Sequence, residues 1–159
     1  MDCGSLDRII STPSSGDENR REALRQLVYN GCLTSLYNHA YTSSRMDWIR
    51  NFALLALTKF ATLNTEAEEV AITLQEEEII LSKEQDKNEL KTTAARLLFL
   101  FTSAHKKPRT FKKISLMGLI AGDHWDYCEE LEKDPNMESW ITSTIIAAKK
   151  QKNRKRKRG

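Results

Sequence analysis

A chain of 159 residues with 40% hydrophobic and 30% charged residues, six Gly and three Pro has the make-up of one soluble helical domain, with little room for a second core. Its longest apolar runs, residues 52–57 and 97–101, fall far short of the ~18 residues a membrane span needs, and residues 1–16 lack the basic start and apolar core of a secretory signal. The net charge of +3 conceals a division: eight of the 25 Lys and Arg stand in residues 149–158, leaving 17 against 22 Asp and Glu, a balance of −5 for the rest. Residues 66–78 alone hold six glutamates and no Lys or Arg. Three widely spaced cysteines do not form a disulfide framework, so a reducing compartment is the simpler reading.

Residues 1–16, rich in Ser and without a sustained period, read as a flexible leader. Ser15 with Glu18 forms a capping box opening a helix over residues 17–29, with Leu24, Leu27 and Val28 on one side. Gly31 supplies the positive φ that ends it, and the next helix gathers Cys32, Leu33, Leu36, Tyr37, Ala40 and Tyr41 on one face. Ser44 with Asp47 opens a helix whose stripe is Ile49, Phe52, Ala53, Ala56, Leu57 and Phe60. Thr65 with Glu68 opens another over residues 66–81 with Val70, Ala71 and Leu74 inward, and Ser82 with Gln85 one that buries Leu90, Ala94, Leu97, Leu98 and Phe101 before Pro108. Helices follow over residues 111–121 and 123–133. In the last, Asp134 is the cap, Pro135 takes the first position, and Trp140, Ile141, Thr144, Ile145 and Ala148 face inward. No alternating pattern exceeds four residues between turn signals, so the chain reads as all-α: a helical domain over residues 17–148 and a basic disordered tail over residues 149–159.

Two stretches repeat one another. Placing Ala53 on Ala94 gives an offset of 41 residues, inside the roughly 40–47-residue period of helical solenoids. Residues 28–36 followed by 53–61 resemble an armadillo repeat: a glycine-terminated first helix, a second with spaced leucines, and an Ala- and Leu-rich third. Residues 81–90 with 94–98 resemble the break into a second such third helix, and residues 121–122 and 134–138 give a weaker echo, so the resemblance covers residues 24–148. It implies a short armadillo- or HEAT-like solenoid, with a closed helical bundle as the alternative. The tryptophan and asparagine with which importin-like armadillo proteins hold extended basic peptides fall here on Leu55 and Lys59 and on Arg96 and Leu100. The peptide ladder is therefore not carried over, and those four residues become the expected protein-binding positions, their cations suited to an acidic partner segment.

Lys149, Lys150, Lys152, Arg154, Lys155, Arg156, Lys157 and Arg158 form the sharpest short signal, a nuclear-import address or a phosphate-binding arm. His124 and Cys128 stand four apart, but two ligands do not make a metal site, and His39, His105, Cys3 and Cys32 lie elsewhere in the chain, so packing is the reading and no cofactor is expected. No glycine-rich phosphate loop or positioned Cys-His nucleophile is present. Trp48, Trp125, Trp140 and Tyr127 suit bases by chemistry and a helix seam by spacing. The expectation is a non-enzymatic adaptor in the nucleus, with a cytoplasmic pool, that binds a protein partner and an import receptor. The alternative is an RNA- or DNA-binding accessory protein, of the kind viruses carry, that uses a helical bundle and the tail. No membrane association is expected.

Overall fold

The computed structural model describes residues 1–158, with side chains through Arg156. Among these residues the chain forms eight α-helices and one small hairpin: α1 (Cys3–Ser11), α2 (Asp17–Tyr29), α3 (Leu33–Tyr41), α4 (Asp47–Ala61), β1 (Ala71–Leu74), β2 (Glu77–Ile80), α5 (Lys87–Ser103), α6 (Arg109–Ala121), α7 (Trp125–Lys133) and α8 (Ser139–Arg158). The architecture is mostly helical. The expected stripes on α4 and α5 are buried in full: Ile49, Phe52, Ala53, Ala56, Leu57 and Phe60 on the first, Leu90, Ala94, Leu97, Leu98 and Phe101 on the second. Helix α4 also buries Leu54 and Ala61, because α3, α5, α6 and β1 all pack against it. Helices α4, α5 and α6 touch pairwise, and α7 and α8 close over α6.

Three helical pairs share one device. Arg20, Arg50 and Lys112 are each the fourth residue of the second helix in a pair, and each is at least 95% buried. Each donates to a carbonyl at the end of the first helix: Arg20 Nε to Ile10 O at 2.9 Å, Arg50 Nε to Ala40 O at 3.0 Å, and Lys112 Nζ to Ala104 O at 2.9 Å. The last carbonyls of a helix lack intrahelical donors and carry the negative end of its dipole, so a cation delivered there satisfies both. His124 Nε2 makes the equivalent contact with Ala61 O, 2.7 Å away at the end of α4. Arg20, Arg50 and Lys112 are thus held inside the turns between paired helices.

Four expectations need correction. The helix expected over residues 66–81 is an antiparallel hairpin, with Ala71 opposite Ile80 and Leu74 opposite Glu77. Val70, Ile72 and Leu74 are buried at a period of two, and Gln75 and Glu76 both take positive φ (48° and 69°), as a two-residue type I′ turn requires. The four-residue alternation that looked too short is the whole of β1. Next, the leader expected to be flexible contains α1, whose Asp2 cap accepts from Ser5 N at 2.7 Å and whose Leu6 and Ile10 are buried. A disulfide joins Cys3 to Cys32, fastening α1 to the start of α3, where no disulfide had been expected. Finally, the tail, expected to be disordered or at most a frayed helical extension from residue 149, continues α8 to Arg158. Lys, Arg and Gln are good helix formers, and exposed like charges oppose them by only a few tenths of a kcal/mol per pair.

Several boundaries also shift. Gly16 (φ +84°) rather than Ser15 precedes α2, Asp86 caps α5 by accepting from Asn88 N and Glu89 N, and α8 begins at Ser139, past Asp134 and Pro135. Gly31 does take positive φ (+68°), and a Cβ there would meet Gln85 and Leu90.

Candidate interaction surfaces

Helices α4 and α6 lie side by side with α5 against both, which leaves a cleft on the far side of the pair. From α4 and its C-cap residue Thr62 the cleft receives Leu55, Thr58, Lys59 and Thr62, the i, i+3, i+4, i+7 set that forms one helical stripe. From α6 it receives Thr110, Lys113, Ile114, Met117, Gly118 and Ala121, which continue the same spacing over three turns. The result is an open groove of about 550 Å³ with an aliphatic floor, hydroxyls along it and lysines at its edge. Met117 is 46% exposed. No carboxylate lines the groove, and neither Lys59 nor Lys113 takes part in an ion pair among the described residues. Gly118 sets the spacing of the floor: a Cβ there would come within 2.8 Å of Thr58 and 2.9 Å of Leu98.

The four residues expected to bind a partner divide. Leu55 and Lys59 both line this groove, whereas Arg96 and Leu100 are exposed on α5 and lie outside it. Lys113, Ile114 and Met117 were not anticipated. The signal was present in the second stripe of residues 110–121, beside the buried Phe111, Ser115, Leu116 and Leu119, but nothing in that segment says which outward stripe meets a neighbour.

The second surface is the distal part of α8. Ile141 and Ile145 anchor the helix, and the Lys149 ammonium lies 2.7 Å from Glu132 and 3.9 Å from Glu129 on α7, pairs that keep its pKa above the usual lysine value. Lys152 lies over the Trp125 ring at 4.6 Å. Asn153, Arg154, Lys155 and Arg156 are exposed. At 100° per residue, Lys150, Lys152, Arg154, Lys155 and Arg156 are distributed around the helix and leave it no apolar face. Lys157 and Arg158, counted in the basic signal, have side chains outside the described residues.

The tryptophans are engaged within the chain. Arg21 lies over Trp48 at 5.5 Å and Arg109 over Trp140 at 5.0 Å, alongside the Lys152 and Trp125 pair, while Tyr127 stacks on Phe99 at 5.0 Å. Cys128 is fully buried, and desolvation raises its thiol pKa to about 11. No group of three or more His, Cys, Asp or Glu among the described residues is placed to hold a metal ion, and no helix there is long and apolar enough to cross a membrane.

No protein-family model, curated protein or solved structure matches this chain.

Proposed function

We propose that this protein is a non-enzymatic interaction adaptor: its body receives a protein partner and its terminal basic helix carries a nuclear address. The observation that carries the reading is the groove between α4 and α6, where Leu55 and Lys59 meet Met117 and Lys113 on an open, unpaired surface. The thiol of Cys128 is buried and protonated at neutral pH, and His124 is committed to the Ala61 carbonyl, which supports a binding role over a nucleophilic one. On architecture, the recurring helical pairs with their buried cations support a repeat-based reading. The enclosure of α4 by α2, α3, α5, α6 and β1 supports the closed bundle over an open armadillo-like stack.

A second reading, RNA or DNA binding, is favoured by one feature: the distal turns of α8 are helical and basic on all sides, a form that duplex grooves accept without unwinding. One experiment separates the two. The full chain and a chain ending at Lys152 are compared for nuclear accumulation as fluorescent fusions, for retention on nucleic acid across a salt series, and for capture of partner proteins. The adaptor reading expects nuclear accumulation to fall with the arm while capture persists and is insensitive to salt. Retention on duplex nucleic acid that falls steeply with salt and disappears with the arm, without protein capture by either chain, replaces it with the second reading.

A further inference from the structure

Resting on the adaptor reading, we infer that the groove between α4 and α6 is a docking site for an acidic amphipathic helix of a protein partner. Three features of the groove define its occupant. The first is shape. Helix α5 occupies one cleft of the α4 and α6 pair, and the groove is the opposite cleft of the same pair, so a helix laid there repeats an arrangement these two helices already accept. From Thr110 to Ala121 the α6 wall rises about 16 Å, which accommodates about three turns of a helix. The second is the floor. Leu55, Ile114, Met117 and Ala121 offer aliphatic contact, which favours apolar residues at i, i+3 or i+4, and i+7 of the occupant.

The third feature is charge, and it selects among occupants. Lys59 and Lys113 flank the floor without ion-pair partners among the described residues. A helix with glutamates or aspartates along the edges of its apolar face places those charges beside the lysines, whereas a basic helix meets like charge. Nucleic acid fits less well: the floor carries no aromatic ring on which a base can stack.

The test uses the full chain with methyl-labelled Ile, Leu and Met. Three probes are titrated: a helix-stabilised 14-residue peptide with leucines on one face and glutamates beside them, its counterpart with lysines for the glutamates, and single-stranded RNA. The expected result is that the acidic peptide shifts the Ile114, Met117 and Leu55 methyls. Lys59→Glu with Lys113→Glu should weaken its binding at least tenfold and transfer preference to the lysine peptide. Met117→Glu, at an exposed position that leaves the core intact, should abolish binding to the groove, with circular dichroism confirming the fold. The inference is overturned if the acidic peptide shifts methyls elsewhere, if both peptides bind alike, if no peptide binds, or if RNA alone moves the groove methyls. Peptide binding elsewhere on the body removes the groove while leaving the adaptor reading intact. Absence of any captured protein, together with groove binding by the acidic peptide, removes the adaptor reading and leaves the groove chemistry standing.

Discussion

His39 shows what a single side chain does for this molecule. It is buried on α3, with Nε2 2.8 Å from Asp7 Oδ1 on α1, while Nδ1 accepts from Arg45 Nε at 3.3 Å. Ser35 donates to the other Asp7 oxygen at 2.9 Å, so the cluster joins α1 to α3 beside the disulfide. An Nδ1 that accepts leaves the proton on Nε2, and the ring is neutral in this arrangement. Desolvation is the main cause that lowers its pKa, with Asp7 opposing and Arg45 and Arg20 reinforcing the shift. Because the folded value lies below the ordinary 6.5, the unfolded chain binds the proton first as pH falls, so the contribution is complete well above 6.5 and is lost as pH falls through 6.5 toward the folded value. The melting midpoint should therefore decline as pH falls through about 6.5, before carboxylates titrate. His39→Gln should flatten that decline, and a profile identical in wild type and variant would show that the ring does not titrate on unfolding. In the sequence this histidine is one of three isolated ones, because its hydrogen-bond partners lie 32 residues before it and six after it and its burial depends on the packing of α3.

At the scale of elements, the three capped pairs explain why charged residues sit in the core. Arg50 illustrates the balance: its Nε reaches the Ala40 carbonyl and its guanidinium lies 4.6 Å from the Phe111 ring centroid, yet its buried Nη2 has no partner among the described residues. The cap and the ring contact must outweigh that unpaired donor. Arg50→Met, which keeps the stem and removes the charge, should destabilise the protein by about 1–3 kcal/mol, with Arg50→Lys recovering part of the loss. Urea denaturation measures both, and a Met variant as stable as wild type would mean that the unpaired Nη2 cancels the cap. The stripes on α4 and α5 were legible because burial on a helix repeats every three to four residues along one segment. The hairpin was not: Val70 and Leu74 fit the inward side of a helix as well as of a strand, and contact of β1 with α4 and of Glu77 with Arg25 on α2 favours the strand.

For the whole molecule, the decisive property is the separation of an acidic body from a basic arm. Helix α8 touches only α6 and α7, and the hairpin glutamates make no contact with it among the described residues. Ending the chain after Lys152 keeps Ile141, Ile145, the Lys149 pairs and the contact over Trp125, so the thermal midpoint should stay within about 2 °C while the helical signal falls by the lost turns. Ending it at Ala148 also removes the ion pair and the cation over the indole, together about 1 kcal/mol, and should lower the midpoint measurably. Equal midpoints for the two truncations would show that Lys149 and Lys152 are free in solution.

The sequence by itself determined the helical class, the inward faces of α4 and α5, the turn at Gly31 and the division of charge, because each is set by composition or by spacing within a few residues. Only the tertiary structure decided that residues 71–80 form a hairpin, that Cys3 meets Cys32, and that the outward stripes of α4 and α6 form one groove while Arg96 and Leu100 stay apart from it. The disulfide and the groove join residues 29 to about 60 positions apart, and the hairpin, local in its own pairing, is favoured by contacts with α4 and α2. They depend on which packing of the buried faces has the lowest free energy, and local pattern leaves that choice open.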